Sequence, residues 1–286
     1  MQYEAPQTLE AASALLAKAS GVVRVLAGGT DLLIQMRNDM VEPDLVVDIK
    51  NIPEMRQIAQ DKGRFRVGAA VTGMEVMEHE GFNAAWPGVV DGVSLIGSIQ
   101  IRGRATVGGN LCNASPAADS APALIAAGAI ASIVGPNGRR EIPVEDIAVA
   151  PGKTSLAKGE IVASFLFPAK APRSGGAYFR FTPRTEMDIA VVGAGVDLTL
   201  GPDGTCTRAK VALGAVAARV LVVPEAAAAL VGSKVDEAAL ARLAAAASAT
   251  AKPIDDKRGT KEFRTDIAGV LAKRAALKAV ERAGRK

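Results

Sequence analysis

The chain has 286 residues, 49% hydrophobic and 22% charged, enough to bury one large core or two smaller ones. A net charge of +4 does not point to nucleic acid: much of the excess sits in Lys273, Arg274, Lys278, Arg282, Arg285 and Lys286, on a helical pattern whose C-terminal dipole end cations complement, and only 3% of the residues are aromatic. No apolar stretch reaches the ~20 residues of a membrane span, and Met1-Gln2-Tyr3-Glu4-Ala5-Pro6 lacks the basic and apolar regions of a signal peptide, so a cytoplasmic protein without membrane insertion is expected.

In chain order, residues 9–18 are Ala/Leu-rich and predict a helix, and the apolar run 22–27 predicts a strand. Gly28-Gly29-Thr30-Asp31 follows as a turn, then an amphipathic helical stretch at 32–37. Short strands are expected at 46–49 and 65–69, and helices at 73–80 and 118–129. Gly135-Pro136-Asn137-Gly138 and Gly201-Pro202-Asp203-Gly204 are reverse-turn signals, each expected to join adjacent antiparallel strands. Residues 170–176, with Pro172, Gly175 and Gly176, are the expected linker. Beyond it come strand patterns at 189–200 and 210–216, then helical patterns at 224–231, 236–250 and 263–283. Strands first and helices afterwards indicate an α+β second half.

Histidine and cysteine usage narrows the chemistry. The single histidine, His79, lies in a polar stretch and reads as a surface residue; without a second histidine neither a histidine metal site nor a Ser-His-Asp hydrolase is expected. Cys112 and Cys206 are far apart and lack the paired spacing of metal or iron–sulfur ligands, so any cluster belongs on another chain. Ile189-Ala190-Val191-Val192-Gly193-Ala194-Gly195 imitates the opening of a Rossmann fingerprint, but Leu198 stands where the third glycine belongs and strand and turn follow instead of a helix. Those glycines read as relief of crowding within a strand.

Two other segments have the mechanics of anion binding. In Ala27-Gly28-Gly29-Thr30-Asp31 two glycines let backbone N–H groups approach an anion at the start of a helix; a tight strand-to-helix turn with ordinary N-cap residues explains the same pattern. Thr106-Val107-Gly108-Gly109-Asn110 repeats the logic about eighty residues later, with Asp119 ahead of an apolar helix that it is also suited to cap. Two anion-cradling segments suit the two ends of a diphosphate.

These segments, with Asn113-Ala114-Ser115-Pro116-Ala117-Ala118-Asp119, Tyr178-Phe179-Arg180-Phe181-Thr182-Pro183-Arg184, Asp188-Ile189-Ala190-Val191-Val192 and Gly259-Thr260-Lys261-Glu262-Phe263-Arg264, resemble the FAD-binding medium subunits of the carbon monoxide dehydrogenase and xanthine dehydrogenase family of molybdenum hydroxylases, over essentially the whole chain. The resemblance implies an α+β fold: a two-part FAD-binding domain of the PCMH type at 1–172, then a C-terminal domain of a small antiparallel sheet with helices at 173–286. It implies that Gly28, Gly29, Thr30 and Asp31, with Thr106, Gly108, Gly109 and Asn110, wrap the FAD diphosphate, and that Ala27 belongs to the cofactor-binding residues. Asp119 would hold ribose or ribityl hydroxyls, and Val162 would meet the flavin by backbone and apolar contact. Arg180 falls where members commonly carry Lys, which keeps the charge and changes the donor geometry. Thr30-Asp31 also departs from the His-Ser of some carbon monoxide dehydrogenases.

By the same resemblance, a small iron–sulfur subunit and a large molybdopterin subunit are the partners, and electrons reach FAD here before leaving to NAD or another acceptor. A stand-alone FAD-dependent reductase of the same fold and a flavin-free scaffold module are the alternatives.

Overall fold

The structure, a computed structural model, describes residues 1–284, so Arg285 and Lys286 of the cationic C-terminal pattern lie outside the described residues. The chain begins with a three-stranded parallel sheet in the order β1 (Gln2–Glu4), β3 (Leu45–Asp48), β2 (Val23–Leu26). Between the first two strands in sequence runs α1 (Leu9–Lys18), whose Leu9, Ala12, Ser13 and Leu16 recur at helical spacing and are buried on one face. Thr8 caps its start, accepting from the Ala11 amide at 3.1 Å. The turn after β2 leads directly into α2 (Leu32–Arg37).

The second part of the N-terminal half is a five-stranded antiparallel sheet, β4-β5-β10-β6-β7, made of β4 (Ile58–Asp61), β5 (Arg64–Gly68), β6 (Ile130–Gly135), β7 (Gly138–Pro143) and β10 (Ile161–Phe167). A small hairpin of β8 (Ala148–Ala150) and β9 (Lys153–Thr154) precedes β10. Between β5 and β6 lie α3 (Gly73–Glu78), α4 (Glu80–Ala85), α5 (Pro87–Val93), α6 (Ile99–Arg102), α7 (Val107–Cys112) and α8 (Ser120–Ala126). The expected Gly135–Gly138 turn closes β6 onto β7, with those two glycines paired across the strands.

The C-terminal half carries the antiparallel sheet β11 (Ser174–Phe181), β12 (Val192–Leu200), β13 (Cys206–Gly214), β14 (Leu221–Val222), followed by α9 (Pro224–Leu230), α10 (Glu237–Thr250) and α11 (Lys261–Gly284). The turn at 201–204 joins β12 to β13 as expected. One apolar core holds α1, the five-stranded sheet and the helices around it, and a second holds the C-terminal sheet and its helices.

Three local expectations change. Ser174, Gly175 and Gly176 are not linker but the opening of β11. A Cβ on Gly175 would stand 2.1 Å from the Ala279 carbonyl oxygen, so glycine is there to let α11 lie on the strand and not to supply flexibility. The strand expected from residue 189 begins at Val192, because the Val191 amide turns back to donate to the Phe181 carbonyl and the buried Arg264 guanidinium donates to the Val191 carbonyl at 3.0 Å. His79 is half-buried; its Nδ1 accepts from the Phe82 amide at 3.0 Å and so caps α4, an anchoring task its polar neighbours concealed.

Gly193 and Gly195 do sit within β12, in keeping with the rejection of a Rossmann turn; a Cβ on Gly195 would meet the Pro122 carbonyl oxygen of α8 at 2.6 Å. The C-terminal cations are used in ion pairs as well as at a helix end: Lys273 with Glu237, Lys278 with Glu281 and Arg282 with Asp91.

Candidate functional site

A cavity of about 520 Å³ opens where the parallel sheet meets the antiparallel part. One wall is the β2–α2 turn with Ala27, Gly28, Gly29, Thr30 and Asp31; the opposite wall is the start of α7 with Thr106, Gly108, Gly109 and Asn110; Glu160, Ile161 and Val162 at the start of β10 form a third side.

The first wall is built for acceptors. Gly29 has φ +78°, a left-handed conformation that glycine adopts without strain and that aims successive amides to one side. The amides of Gly28, Gly29, Thr30 and Asp31 donate to no acceptor among the described residues. Four consecutive unpaired donors on a cavity wall, at the head of a helix, make a site for an anion. Gly28 has a second constraint: a Cβ there would stand 2.1 Å from the Arg104 carbonyl oxygen, so its bareness lets the two walls touch.

The opposite wall works differently from the expectation that its glycines expose donors. Thr106 caps α7, its Oγ1 accepting from the Gly109 amide at 3.0 Å, and the Gly108 amide donates to the Ala69 carbonyl at 3.0 Å. These amides are spent on the fold. Gly108 is bare because a Cβ would meet the Ala69 carbonyl oxygen at 2.5 Å. Gly109 faces the cavity, and a Cβ there would find only Thr106 Oγ1 within 4 Å, at 2.9 Å. Glycine at 109 therefore keeps cavity space open. The side-chain oxygen of Asn110 accepts from the Ser120 hydroxyl at 2.7 Å, fixing α7 against α8.

Ten of the twelve sequence-named residues thus converge on one cavity. The remaining two, Asp119 and Arg180, lie outside its lining and meet each other: Arg180 donates to one Asp119 oxygen at 2.5 Å, and the Tyr178 hydroxyl donates to the other at 2.9 Å. Asp119 makes no side-chain cap to α8 either. Its two oxygens join the N-terminal half to β11. Also on the lining and missed by the sequence reading are Arg24, Gln35, Ile49, Gly152, Thr154 and Leu156. The Pro151-Gly152 turn signal in the β8–β9 hairpin was the available pointer to the last three.

Burial pushes the Asp119 carboxyl up to about 6, with Arg180 and Tyr178 offsetting part of the rise. A folded-state value above the ordinary carboxylate value means that the folded protein holds the proton more tightly than the unfolded chain. The resulting stability is fully present below about pH 4 and is lost as pH rises through about 6. Wild-type stability, set against that of Asp119→Asn, is expected to fall between pH 4 and 7 by up to about 3 kcal/mol, at ~1.4 kcal/mol for each tenfold change in proton affinity. Denaturant melts across that range check it, and parallel pH profiles for the two proteins would refute it.

Among the described residues no group of three or more His, Cys, Asp or Glu converges as a metal site would require, and no helix is long and apolar enough to cross a membrane. Cys112, on the cavity wall, is an unpaired cysteine whose burial pushes its thiol up to about 12, so it is not a thiolate at neutral pH.

Comparison with known proteins places the chain in a family. Residues 1–170 match the family model described as the FAD binding domain in molybdopterin dehydrogenase, and residues 177–279 match the CO dehydrogenase flavoprotein C-terminal domain. The chain is 32% identical over 281 residues to the carbon monoxide dehydrogenase medium chain of Afipia carboxidovorans, covering 98% of this chain and 97% of that one. It is 31% identical over 286 residues to the xanthine dehydrogenase FAD-binding subunit of Escherichia coli O157:H7, covering 99% and 97%. The fold superposes on a chain of reconstituted CO dehydrogenase from Oligotropha carboxidovorans with a TM-score of 0.94 at 32% identity, covering 99% of this chain and 98% of that one.

Proposed function

We propose, from the premise that this chain belongs to the family of FAD-binding subunits of molybdopterin dehydrogenases, that it is the electron-transfer subunit of a heteromeric molybdenum hydroxylase. In this reading the first domain, 1–172, binds FAD, and the second, 173–286, completes the subunit. A small partner carries the iron–sulfur clusters and a large partner the molybdopterin, where substrate is oxidised. Electrons pass from the clusters to this chain and on to NAD or another acceptor, in the cytoplasm. The chain is then an oxidoreductase subunit and has no need of an acid–base pair of its own.

The observation that carries the reading is the run of four unpaired amides at residues 28–31 facing a glycine-bared helix start across one cavity. Bound FAD supplies the redox chemistry, and the protein supplies binding and orientation. The amides of residues 28–31 would take diphosphate oxygens. Gly109 keeps the opposite wall clear, and Val162, 3% exposed beside a β-bulge in β10, offers an apolar surface for the ring system.

Purification of the chain with its partners tests this. The complex is expected to carry one non-covalent FAD per chain, with flavin absorbance that bleaches when the substrate of the large partner is added. Iron and molybdenum should track the partner subunits. Release of FMN, absence of flavin from the intact complex, or stoichiometric iron or molybdenum in the folded isolated chain would each overturn the assignment. Full activity of the isolated chain towards a substrate of its own would favour the stand-alone reductase.

A further inference from the structure

Buried polar atoms of folded proteins are hydrogen-bonded with few exceptions, either to protein or to ordered water. Two exceptions meet where the C-terminal sheet packs on the N-terminal half. Asp197, on β12, is 3% exposed; its Oδ2 accepts from the Lys170 ammonium, whereas its Oδ1 has no hydrogen-bond partner among the described residues. Arg208 Nη1 stands 3.9 Å from that oxygen, in range for ionic attraction and beyond a hydrogen bond. Trp86, just ahead of α5 and 2% exposed, has a buried indole N–H that likewise finds no acceptor among the described residues. Asp197 and Trp86 line one small cavity of about 10 Å³, together with Lys170, Val89 of α5 and Ala123 of α8. Lys170 connects them: its Nζ lies 4.0 Å from the centroid of the Trp86 ring while it donates to Asp197. Glycine at 176 keeps this approach open, since a Cβ there would stand 2.7 Å from Asp197 Oδ2. Desolvation raises the Asp197 carboxyl and lowers the Lys170 ammonium, against their mutual attraction.

The two open atoms select their occupant by chemistry. An indole N–H only donates and a carboxylate oxygen only accepts, so whatever lies between them must accept from one and donate to the other. A metal cation fails the first requirement and a simple anion the second. A hydroxyl group meets both, and a cavity of about 10 Å³ has room for a single water and for nothing larger. We propose that one internal water molecule is a fixed part of this seam, accepting from Trp86 Nε1 and donating to Asp197 Oδ1. With Lys170 it completes a polar network that joins three separate stretches of chain: the segment before α5, the connection between β10 and β11, and β12.

The test uses the full-length chain in a crystal and in solution. A high-resolution map is expected to show a peak within hydrogen-bond distance of both Trp86 Nε1 and Asp197 Oδ1. A peak that reaches only one of the two atoms, the Arg208 guanidinium closed directly onto Oδ1, or no peak in a map that shows other internal waters overturns the proposal. In solution, Trp86 is the only tryptophan, so one indole N–H resonance reports on the site. That resonance should show a nuclear Overhauser contact with a long-lived water, and a wild-type chain without this contact also overturns the proposal. Leucine at 197 alone would strand the Lys170 ammonium, so the control is Lys170→Met combined with Asp197→Leu, which replaces the buried pair by apolar groups. The water contact should then be lost from the Trp86 resonance, and its persistence at wild-type strength would show that Asp197 does not hold the water. Should the double variant fail to fold, the wild-type map and resonance still decide.

Discussion

Gly109→Val is expected to weaken FAD binding about ten- to hundredfold and leave the fold standing. A Cβ at 109 meets only the Thr106 hydroxyl oxygen, at 2.9 Å, and the branches beyond it enter the cavity. Gly109 is not among the residues with positive φ, so valine meets no backbone barrier there. What valine displaces is ligand. Overpacking of a closely fitted site costs about 1–3 kcal/mol, about ten- to hundredfold in affinity.

Gly28→Ala is the contrasting variant. Its single methyl would stand 2.1 Å from the Arg104 carbonyl oxygen, so the two walls must separate and stability falls together with binding. Flavin released per chain, measured beside the melting temperature of the FAD-free form, tells the two behaviours apart. A Gly109→Val protein that binds FAD with wild-type affinity would show that the diphosphate does not approach this helix start.

Asp119→Ala is expected to act on the fold first, destabilising it by about 3–5 kcal/mol at neutral pH. The Arg180 side chain is 5% exposed and the Tyr178 hydroxyl is buried, and both donate to Asp119. Truncation leaves a buried guanidinium without its carboxylate and a buried hydroxyl without its acceptor. It also unties β11 from the segment before α8. Asp119→Asn also removes the charge that faces Arg180, but it fills the same space and keeps one acceptor oxygen, so its cost should be smaller than that of alanine. If Asp119 instead held cofactor hydroxyls, the alanine variant would melt with the wild type in the FAD-free state and lose FAD affinity alone. Chemical denaturation of both variants without FAD, followed by FAD titration, decides between the roles.

The residues involved in these experiments show where a single sequence is informative. Helix α1 was legible because its cap, its apolar spacing and its end all lie within a dozen residues. The two glycine-bounded hairpin turns were legible for the same reason: turn geometry is a demand on four neighbouring residues. The anion cradle at 28–31 could be read because positive φ and a following helix are local properties, and resemblance along the whole chain added its cofactor. Which of two carboxylates finds its partners in the fold could not be read. Asp119 and Asp31 both precede helices and look alike in sequence. Only packing brings Tyr178 and Arg180, 59 and 61 residues away, onto the first and leaves the second without a partner.

Glycines divide in the same way. Gly29 is explained by its own φ of +78°, whereas Gly28, Gly108 and Gly175 are explained by the carbonyl oxygens of Arg104, Ala69 and Ala279, against which a methyl group would collide. Local conformational demand is written in neighbouring residues. Contact across 39, 76 or 104 positions exists only after the chain has closed on itself, and at this site those contacts decide which polar groups are spent on the fold and which remain for a ligand.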